Sequence, residues 1–377
     1  MMKKIVLINQ SSSYLMIDIV NAYADKYEDV VLITGKITEY ERKLYKNVKI
    51  NKIIAYNRKS TVKRIFTWSI AFIQILFKLL FIYRKYDVVY VTNPPISYLS
   101  SLIVNNPFSV IIFDTYPDAL RNIGIRKGHM LYDIWCKWNI KLFAKAKNIY
   151  TISNGMAEQL SEYVDRNHIK IINLWCSSEN FKPIEKDQNP FIIQHNLQDK
   201  FIVMYSGNMG YTHNVDTLVE VAKQMQNTTN VHFLFIGDGK KKNELVQDVN
   251  NNNLKNCTFL DWQPSNILPY SLAAADIGVV TLNDETALTS VPSKTFNLMA
   301  VGSPLLCITT EQSEIAKIVR KNKNGIVCSS KDINKIITFI QKISEDKYMQ
   351  NELSNNSLEA SKQFTYKNAE QYVQKLL

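Results

Sequence analysis

Short, continuous runs of Ile, Val, Leu and Phe recur along the chain, each followed by a longer stretch of helical periodicity. In the first half these runs predict strands at Lys4–Asn9, Asp29–Thr34, Val48–Ala55, Val88–Thr92, Ser109–Asp114, Asn148–Ser153 and Ile169–Leu174. In the second half they predict strands at Phe201–Ser206, Val231–Gly237, Thr258–Leu260, Ile277–Thr281, Leu305–Ile308 and Gly325–Val327. Runs that do not alternate with polar residues suit strands buried on both faces, hence parallel sheets covered by helices. Two successive β/α sets predict two doubly wound, Rossmann-like α/β domains facing a cleft. A length of 377 residues agrees, being too great for one small core. The apolar pattern breaks at Ser177–Asn189, so the expected domains are residues 1–182 and 183–377, with the last helix a candidate to pack back on the first.

The charge is lopsided. The chain carries a formal +11, but residues 1–182 hold 26 basic against 14 acidic side chains, and residues 183–377 hold 19 against 20. Either the first half meets an anionic partner or it is merely the better-solvated half. Disordered, collagen-like and disulfide-dense classes are excluded by the 46% hydrophobic content and five scattered cysteines. No Cys or His spacing suits a metal, and the odd cysteine count suggests a reducing compartment. Cys257, Cys307 and Cys328 read as core thiols. The apolar run Ile5–Ile8 is too short for a signal peptide, so a cytoplasmic location is expected.

Residues 60–85 approach transmembrane length, roughly 20 residues. Lys63, Thr67, Gln74, Lys78 and Lys85 nonetheless fall on one narrow helical stripe. Three readings stay open. The segment is a crossover helix buried on most sides, a crossover helix whose apolar face rests in an anionic membrane interface, or a true span. In the second reading Arg58, Lys59, Lys63, Arg64, Arg84 and Lys85 edge that face. A second basic-aromatic stretch, residues 121–147, interleaves Trp135 and Trp138 with lysines. That suits lipid headgroups or single-stranded nucleic acid, but no nucleic-acid module is recognisable, so no nucleic-acid partner is expected.

Three segments suit phosphate chemistry. After the strand at Phe201 come Gly207, Asn208, Met209 and Gly210, then a helix; glycines there let backbone approach a ligand, although many α/β turns look similar. FLFIGDGKKK places Gly237, Asp238 and Gly239 in a tight turn before three lysines, which is also how a turn into a solvated helix looks. In VPSKTFNLMAVGSP, Lys294 falls in the first turn of a helix, where a cation is unfavourable unless an anion is bound. Ser293, Lys294 and Thr295 form a plausible diphosphate cradle.

In this order the segments resemble the family 4 glycosyltransferases of the GT-B fold, in particular the bacterial subgroup that builds capsule, O-antigen and colanic-acid-type polysaccharides. TNPPISY (92–98), IIFDTYPDAL (111–120), YTISNGMAEQL (150–160) and IINLWCSSENFKPI (171–184) resemble that family's N-terminal motifs, so the likeness runs over nearly the whole chain. The resemblance implies sugar transfer from a nucleotide sugar, a UDP-sugar by expectation, with retention and without a metal or other cofactor. The donor would bind the second domain. A lipid-linked, polyprenyl-diphosphate saccharide would bind the first, making the protein peripheral to the inner face of the membrane. By position, Gly207 and Gly210 resemble the diphosphate loop, and Gly237 and Asp238 the turn beside the base. Asp261, Trp262 and Gln263 resemble the nucleobase segment, Lys294 a phosphate-binding lysine, and Asp114 the acceptor-side acid, a candidate catalytic acid/base or acceptor-positioning group. Asn208 and His213 stand where many members carry Arg and Lys. Thr289 and Asn297 stand where many carry two glutamates; Asn297 retains hydrogen-bonding capacity toward a ribose but no charge. Those departures keep two rivals open: a sugar-nucleotide epimerase of the same fold, and a non-catalytic donor-binding or scaffold protein of a polysaccharide assembly complex.

Overall fold

The computed structural model describes residues 3–57, 59–123 and 125–373, and no side chains at 121–123. It divides into two compact units, Met1–Asn173 with Tyr366–Leu377, and Leu174–Thr365. The division falls at Asn173, before the expected break at Lys182. The polar stretch read as a linker includes Asn189, which caps the short helix Pro190–Gln194 by accepting from Phe191 N. The 3₁₀ segment Tyr366–Tyr372 belongs to the first unit, where the Tyr372 carbonyl accepts from the hydroxyls of Tyr23 and Tyr150, both at 3.0 Å.

The first unit is built on β1 (Lys4–Ile8), β2 (Ser11–Ser12), β3 (Asp29–Thr34), β4 (Lys36–Ile37), β5 (Lys49–Lys52), β6 (Asp87–Val91), β7 (Phe108–Ile112), β8 (Ile149–Thr151) and β9 (Ile169–Ile171). β2 and β4 form a small separate pair, and the rest make one sheet in the order β5-β3-β1-β6-β7-β8-β9, all parallel. The chain builds outward from β1 to β5, then returns through a crossover to β6 beside β1. That reversal is a topological switch point, where open α/β sheets bind ligands beyond the strands' carboxyl ends. Helices α1 (Tyr14–Ala24), α2 (Thr61–Phe81), α3 (Met130–Phe143) and α4 (Asn154–Leu160) cover the sheet.

Helix α2 is the crossover from β5 to β6, and its polar stripe faces inward. Thr67, Ala71, Ile75 and Leu79 are its buried residues. Gln74 Oε1 accepts from Ile54 N at 2.8 Å, Lys78 Nζ donates to Asn51 Oδ1 at 2.5 Å, and the Thr67 carbonyl accepts from Gln10 Nε2 at 3.0 Å. The apolar side is left outside: Phe66 is 60%, Ile73 64%, Phe77 58% and Phe81 67% exposed. The expectation of a helix buried on most sides therefore fails. Edge strand β5 (KINK) and the residues just after it offer polar partners, so Gln74 and Lys78 dock alongside the buried line of Ala71, Ile75 and Leu79 while the other apolar side stays outside. By length and hydropathy α2 can also cross a membrane, with an 18-residue window of mean hydropathy 1.6, 22% of it buried. In α3, Trp135 is buried and donates to Tyr98 OH at 2.9 Å, so only Trp138 of the two tryptophans reaches the surface.

The second unit carries β10 (Phe201–Ser206), β11 (Val231–Ile236), β12 (Cys257–Leu260), β13 (Ile277–Thr281), β14 (Leu305–Ile308) and β15 (Gly325–Cys328). Their order is β12-β11-β10-β13-β14-β15, again all parallel, with the switch point between β10 and β13. Its helices are α5 (Pro190–Gln194), α6 (Val215–Gln224), α7 (Lys242–Asn251), α8 (Leu268–Leu272), α9 (Lys294–Ala300), α10 (Glu314–Asn322), α11 (Ile333–Glu345) and α12 (Lys347–Ser361). Val203, Tyr205, Phe233, Phe235, Ile277 and Val279 form the centre of its core against α6 and α11. The five cysteines are free thiols; burial raises Cys257 to about 12 and Cys328 to about 11.

Candidate functional site

The second unit's switch point is assembled from interlocked turns. The loop after β10 is tied to the turn after β11: Met209 N donates to Asp238 O at 2.8 Å and Lys241 N to Met209 O at 2.9 Å. Gly237 has φ +134° and a Cβ there would lie 2.1 Å from Gly207 O; Gly239 has φ +154° with Met209 backbone at 2.5 Å. Both positions therefore require glycine. The loop after β10 is also stitched to the loop after β13, since Asn283 N donates to Thr212 O at 3.0 Å.

Lys294 opens α9 and sends its side chain beneath this loop. Its Nζ lies 3.7 Å from the centroid of the Tyr205 ring and 2.9 Å from where a Cβ on Gly207 would stand. The residue is partly exposed, but the ammonium itself is buried and has no hydrogen-bond partner. Burial depresses its pKa from 10.5 to about 7. A buried cation held only by a ring face lacks the anion it needs. Helix α9 has only seven residues, so its dipole is a minor factor beside the ammonium's burial. His213 sits nearby, with Nδ1 3.0 Å from Thr212 Oγ1. Burial first, then Lys294, lowers its pKa to about 4, so it is neutral at pH 7.

The remaining residues divide. Asn208 is exposed at the loop tip, and its carbonyl accepts from Tyr205 OH at 2.6 Å. Gly210 follows it, with Asn208 Nδ2 2.7 Å from where its Cβ would be. Asp238 Oδ1 caps its own turn by accepting from Gly239 N at 2.8 Å. Asp261 pairs with Lys242 at 2.5 Å, Gln263 Nε2 donates to Asp261 O, and Trp262 presents a 57% exposed indole on the rim beyond β12. Ser293 precedes α9 without capping it, and Thr295 is fully buried with its hydroxyl, like the Lys294 ammonium, lacking a hydrogen-bond partner. Asn297 Oδ1 accepts from Ser177 N at 3.0 Å and Ser177 Oγ at 3.2 Å. That oxygen is engaged within the unit. Tyr205 and Ser177 have no assigned role in the sequence reading, although both lie beside quoted motifs, because only packing brings the Tyr205 ring against Lys294 and Ser177 against Asn297. Among the described residues no three His, Cys, Asp or Glu side chains cluster as metal ligands.

Asp114 belongs to the first unit. It follows β7, is exposed, and has Thr92 Oγ1 accepting from its backbone N at 3.3 Å. It lines a cavity with Trp68, Tyr116 and Asn93.

A profile for the family "Glycosyl transferases group 1" matches residues 186–360, almost all of the second unit. The chain is 23% identical over 238 residues to WbjE of Pseudomonas aeruginosa, a protein named as a glycosyltransferase, spanning 63% of this chain and 59% of that one. Residues 186–360 are thus similar to the group 1 glycosyltransferases. It is also 24% identical over 223 residues to WcaI of Escherichia coli K12, whose name assigns it as a glycosyl transferase to colanic acid biosynthesis, spanning 58% of this chain and 54% of that one. The matches thus span less than two thirds of either relative's length. Among solved structures, Anabaena Alr3699/HepE in complex with UDP superposes with a TM-score of 0.74 at 15% identity, over 98% of each chain. WaaG, named for lipopolysaccharide biosynthesis, superposes with a TM-score of 0.70 at 12% identity, again over 98% of each. These likenesses place the fold as GT-B.

Proposed function

We propose that this protein transfers a sugar from a UDP-sugar, with retention, to a polyprenyl-diphosphate-linked saccharide at an anionic membrane surface, in bacterial polysaccharide assembly. The observation that carries the reading is the buried, unpartnered ammonium of Lys294 at the second unit's switch point. A nucleotide diphosphate lying on the Gly207–Gly210 loop supplies the missing anion and restores the proton that burial removes. When the anomeric C–O bond to the diphosphate breaks, negative charge grows on the departing oxygen. A pre-positioned ammonium in a poorly solvated site stabilises that charge without reorganising. Neutral His213 adds hydrogen bonding, Trp262 a stacking face for the base, and Asp114 accepts the proton of the attacking hydroxyl or orients it. In this reading Lys294, not a metal ion or cofactor, neutralises the leaving group. UDP bound to HepE supports the choice of nucleotide.

The membrane part rests on α2. Its outward face carries Phe66, Ile73, Phe77 and Phe81, and exposed Lys59, Lys63, Arg84 and Lys85 lie at its ends; Arg58 lies outside the described residues. Aromatic and aliphatic side chains edged by cations suit the interface of an anionic bilayer. Lys294→Ala tests the catalytic part: turnover falls by about 100-fold or more while the fold persists. A folded variant with near-normal turnover removes Lys294 from the mechanism.

A further inference from the structure

The second unit carries a further cavity, of about 560 Å³, lined by none of the donor-site residues. It lies at the amino end of edge strand β15, whereas the Gly207 loop lies beyond the carboxyl end of the parallel strand β10. Three helix ends build it. Helix α10 contributes Arg320 and, just past its last residue, Lys323. Lys342 comes from the last turn of α11, and Tyr348, Met349 and Leu353 come from the first two turns of α12. Met349 and Leu353 pack against the core of the unit, so the floor is apolar. Tyr348 stands at the rim, 81% exposed.

The walls are cationic. The Lys323 and Lys342 ammoniums have no hydrogen-bond or ion-pair partner among the described residues. Arg320 is held in place by Glu311, its Nη1 donating to the Glu311 carbonyl at 3.2 Å. Of the two carboxylates in the lining, Asp346 caps α12 by accepting from Met349 N at 2.9 Å, and Glu352 is exposed. Lys323 is unusual in its backbone too. It ends α10 with φ +49° and ψ +41°, a left-handed conformation in which glycine is the usual residue. A lysine there sets an ammonium on the cavity wall where a glycine would suit the helix end better. Tyr, Arg and Met are enriched at protein interfaces, and an apolar floor between cations suits an acidic segment with one apolar anchor. A small anion would meet the lysines but leave Tyr348 and the floor in water. A nucleic acid or an anionic bilayer would set many negative charges beside Glu352.

We propose that this cavity docks an acidic peptide segment of a partner protein. An Asp or Glu of that segment pairs with Lys323 and Lys342, and a Leu, Phe or Trp seats on Met349 and Leu353 beside Tyr348. The site uses no residue of the glycosyl-transfer reading and lies at the other end of the sheet from the donor loop.

The test is selection of a phage-displayed random dodecapeptide library on the full chain. The chain carrying both Lys323→Glu and Lys342→Glu serves for counter-selection. Recovered sequences are expected to be rich in Asp and Glu around one apolar residue. The best of them, synthesised and labelled, binds the unaltered protein in fluorescence polarisation, and more weakly as salt rises. The paired charge reversal weakens it about tenfold or more, and so does Tyr348→Ala. Lys323→Gly separates binding from folding: the melting temperature stays equal or rises while the peptide binds more weakly. Saturating UDP leaves the peptide bound. Recovery of no acidic sequences, or unchanged binding by the charge-reversed, Tyr348→Ala or Lys323→Gly protein, overturns the proposal. Displacement by UDP or by millimolar inorganic phosphate also overturns it, the latter making the cavity a small-anion site. A concentration-dependent dimer abolished by Tyr348→Ala overturns it as well, making the cavity a contact between copies of the chain.

Discussion

Lys294 carries its ammonium among Tyr205, Gly207, neutral His213 and the buried Cys307 thiol, none of which neutralises it. In the unfolded chain the lysine keeps its proton up to about 10.5, in the folded one only up to about 7. The charged form therefore costs the fold on the order of 5 kcal/mol as an upper figure. Below pH 7 both states hold the proton and the whole penalty is present. Between pH 7 and 10.5 the unfolded chain binds more protons, so stability rises with pH. Lys294→Met is expected to raise the melting temperature of the ligand-free protein most at or below pH 7, with a gain that shrinks toward pH 10. The same logic predicts proton uptake when UDP binds at pH 8, read by calorimetry in buffers of different ionisation enthalpy. Lys294→Met abolishes that uptake. Gly237 is a separate case: a Cβ would strike Gly207 O at 2.1 Å, so Gly237→Ala displaces the diphosphate loop and weakens UDP binding measurably.

At the scale of elements, α2 shows where sequence reading stops. The polar stripe of Lys63, Thr67, Gln74 and Lys78 is visible in the spacing, but periodicity is indifferent to which side faces the sheet. Asn51 and Ile54, on and just beyond an edge strand, decide that by offering hydrogen-bond partners. The strands were easier. β1, β3, β10 and β13 are built on continuous apolar runs, and a run buried on both faces has few alternatives. Trp68 was hidden because a tryptophan in an apolar helix reads as core. Two predictions belong here. Gln74→Leu leaves Ile54 N–H unpaired and costs about 1–3 kcal/mol in denaturant unfolding. Phe66→Ser, Phe77→Ser and Phe81→Ser each change stability by no more than about 0.5 kcal/mol, and together abolish flotation with anionic liposomes. Flotation of the unaltered protein weakens with salt. A triple variant that still floats removes the exposed face of α2 from membrane binding.

Over the whole molecule, two parallel sheets each reverse at a switch point, and each reversal holds a candidate site: Lys294 under a glycine loop in one, Trp68 and Asp114 around a cavity in the other. The basic surplus divides the same way, with 26 basic against 14 acidic side chains in residues 1–182 and near balance beyond. The motifs of the donor unit were legible because glycine turns and a lysine-bearing helix start are local. Most partners of those motifs were not, since Tyr205 and Ser177 reach Lys294 and Asn297 only through tertiary packing. Transfer to a lipid acceptor can be read in a single incubation. The protein is mixed with a panel of nucleotide sugars and bacterial membrane lipid extract, and all products are read by mass. The expected product is a lipid species heavier by one glycosyl residue, formed from a UDP-sugar with release of UDP; transfer to lipid is this protein's reaction if it forms. A free epimerised nucleotide sugar formed without lipid, or donor binding with no transfer from any donor, would contradict it.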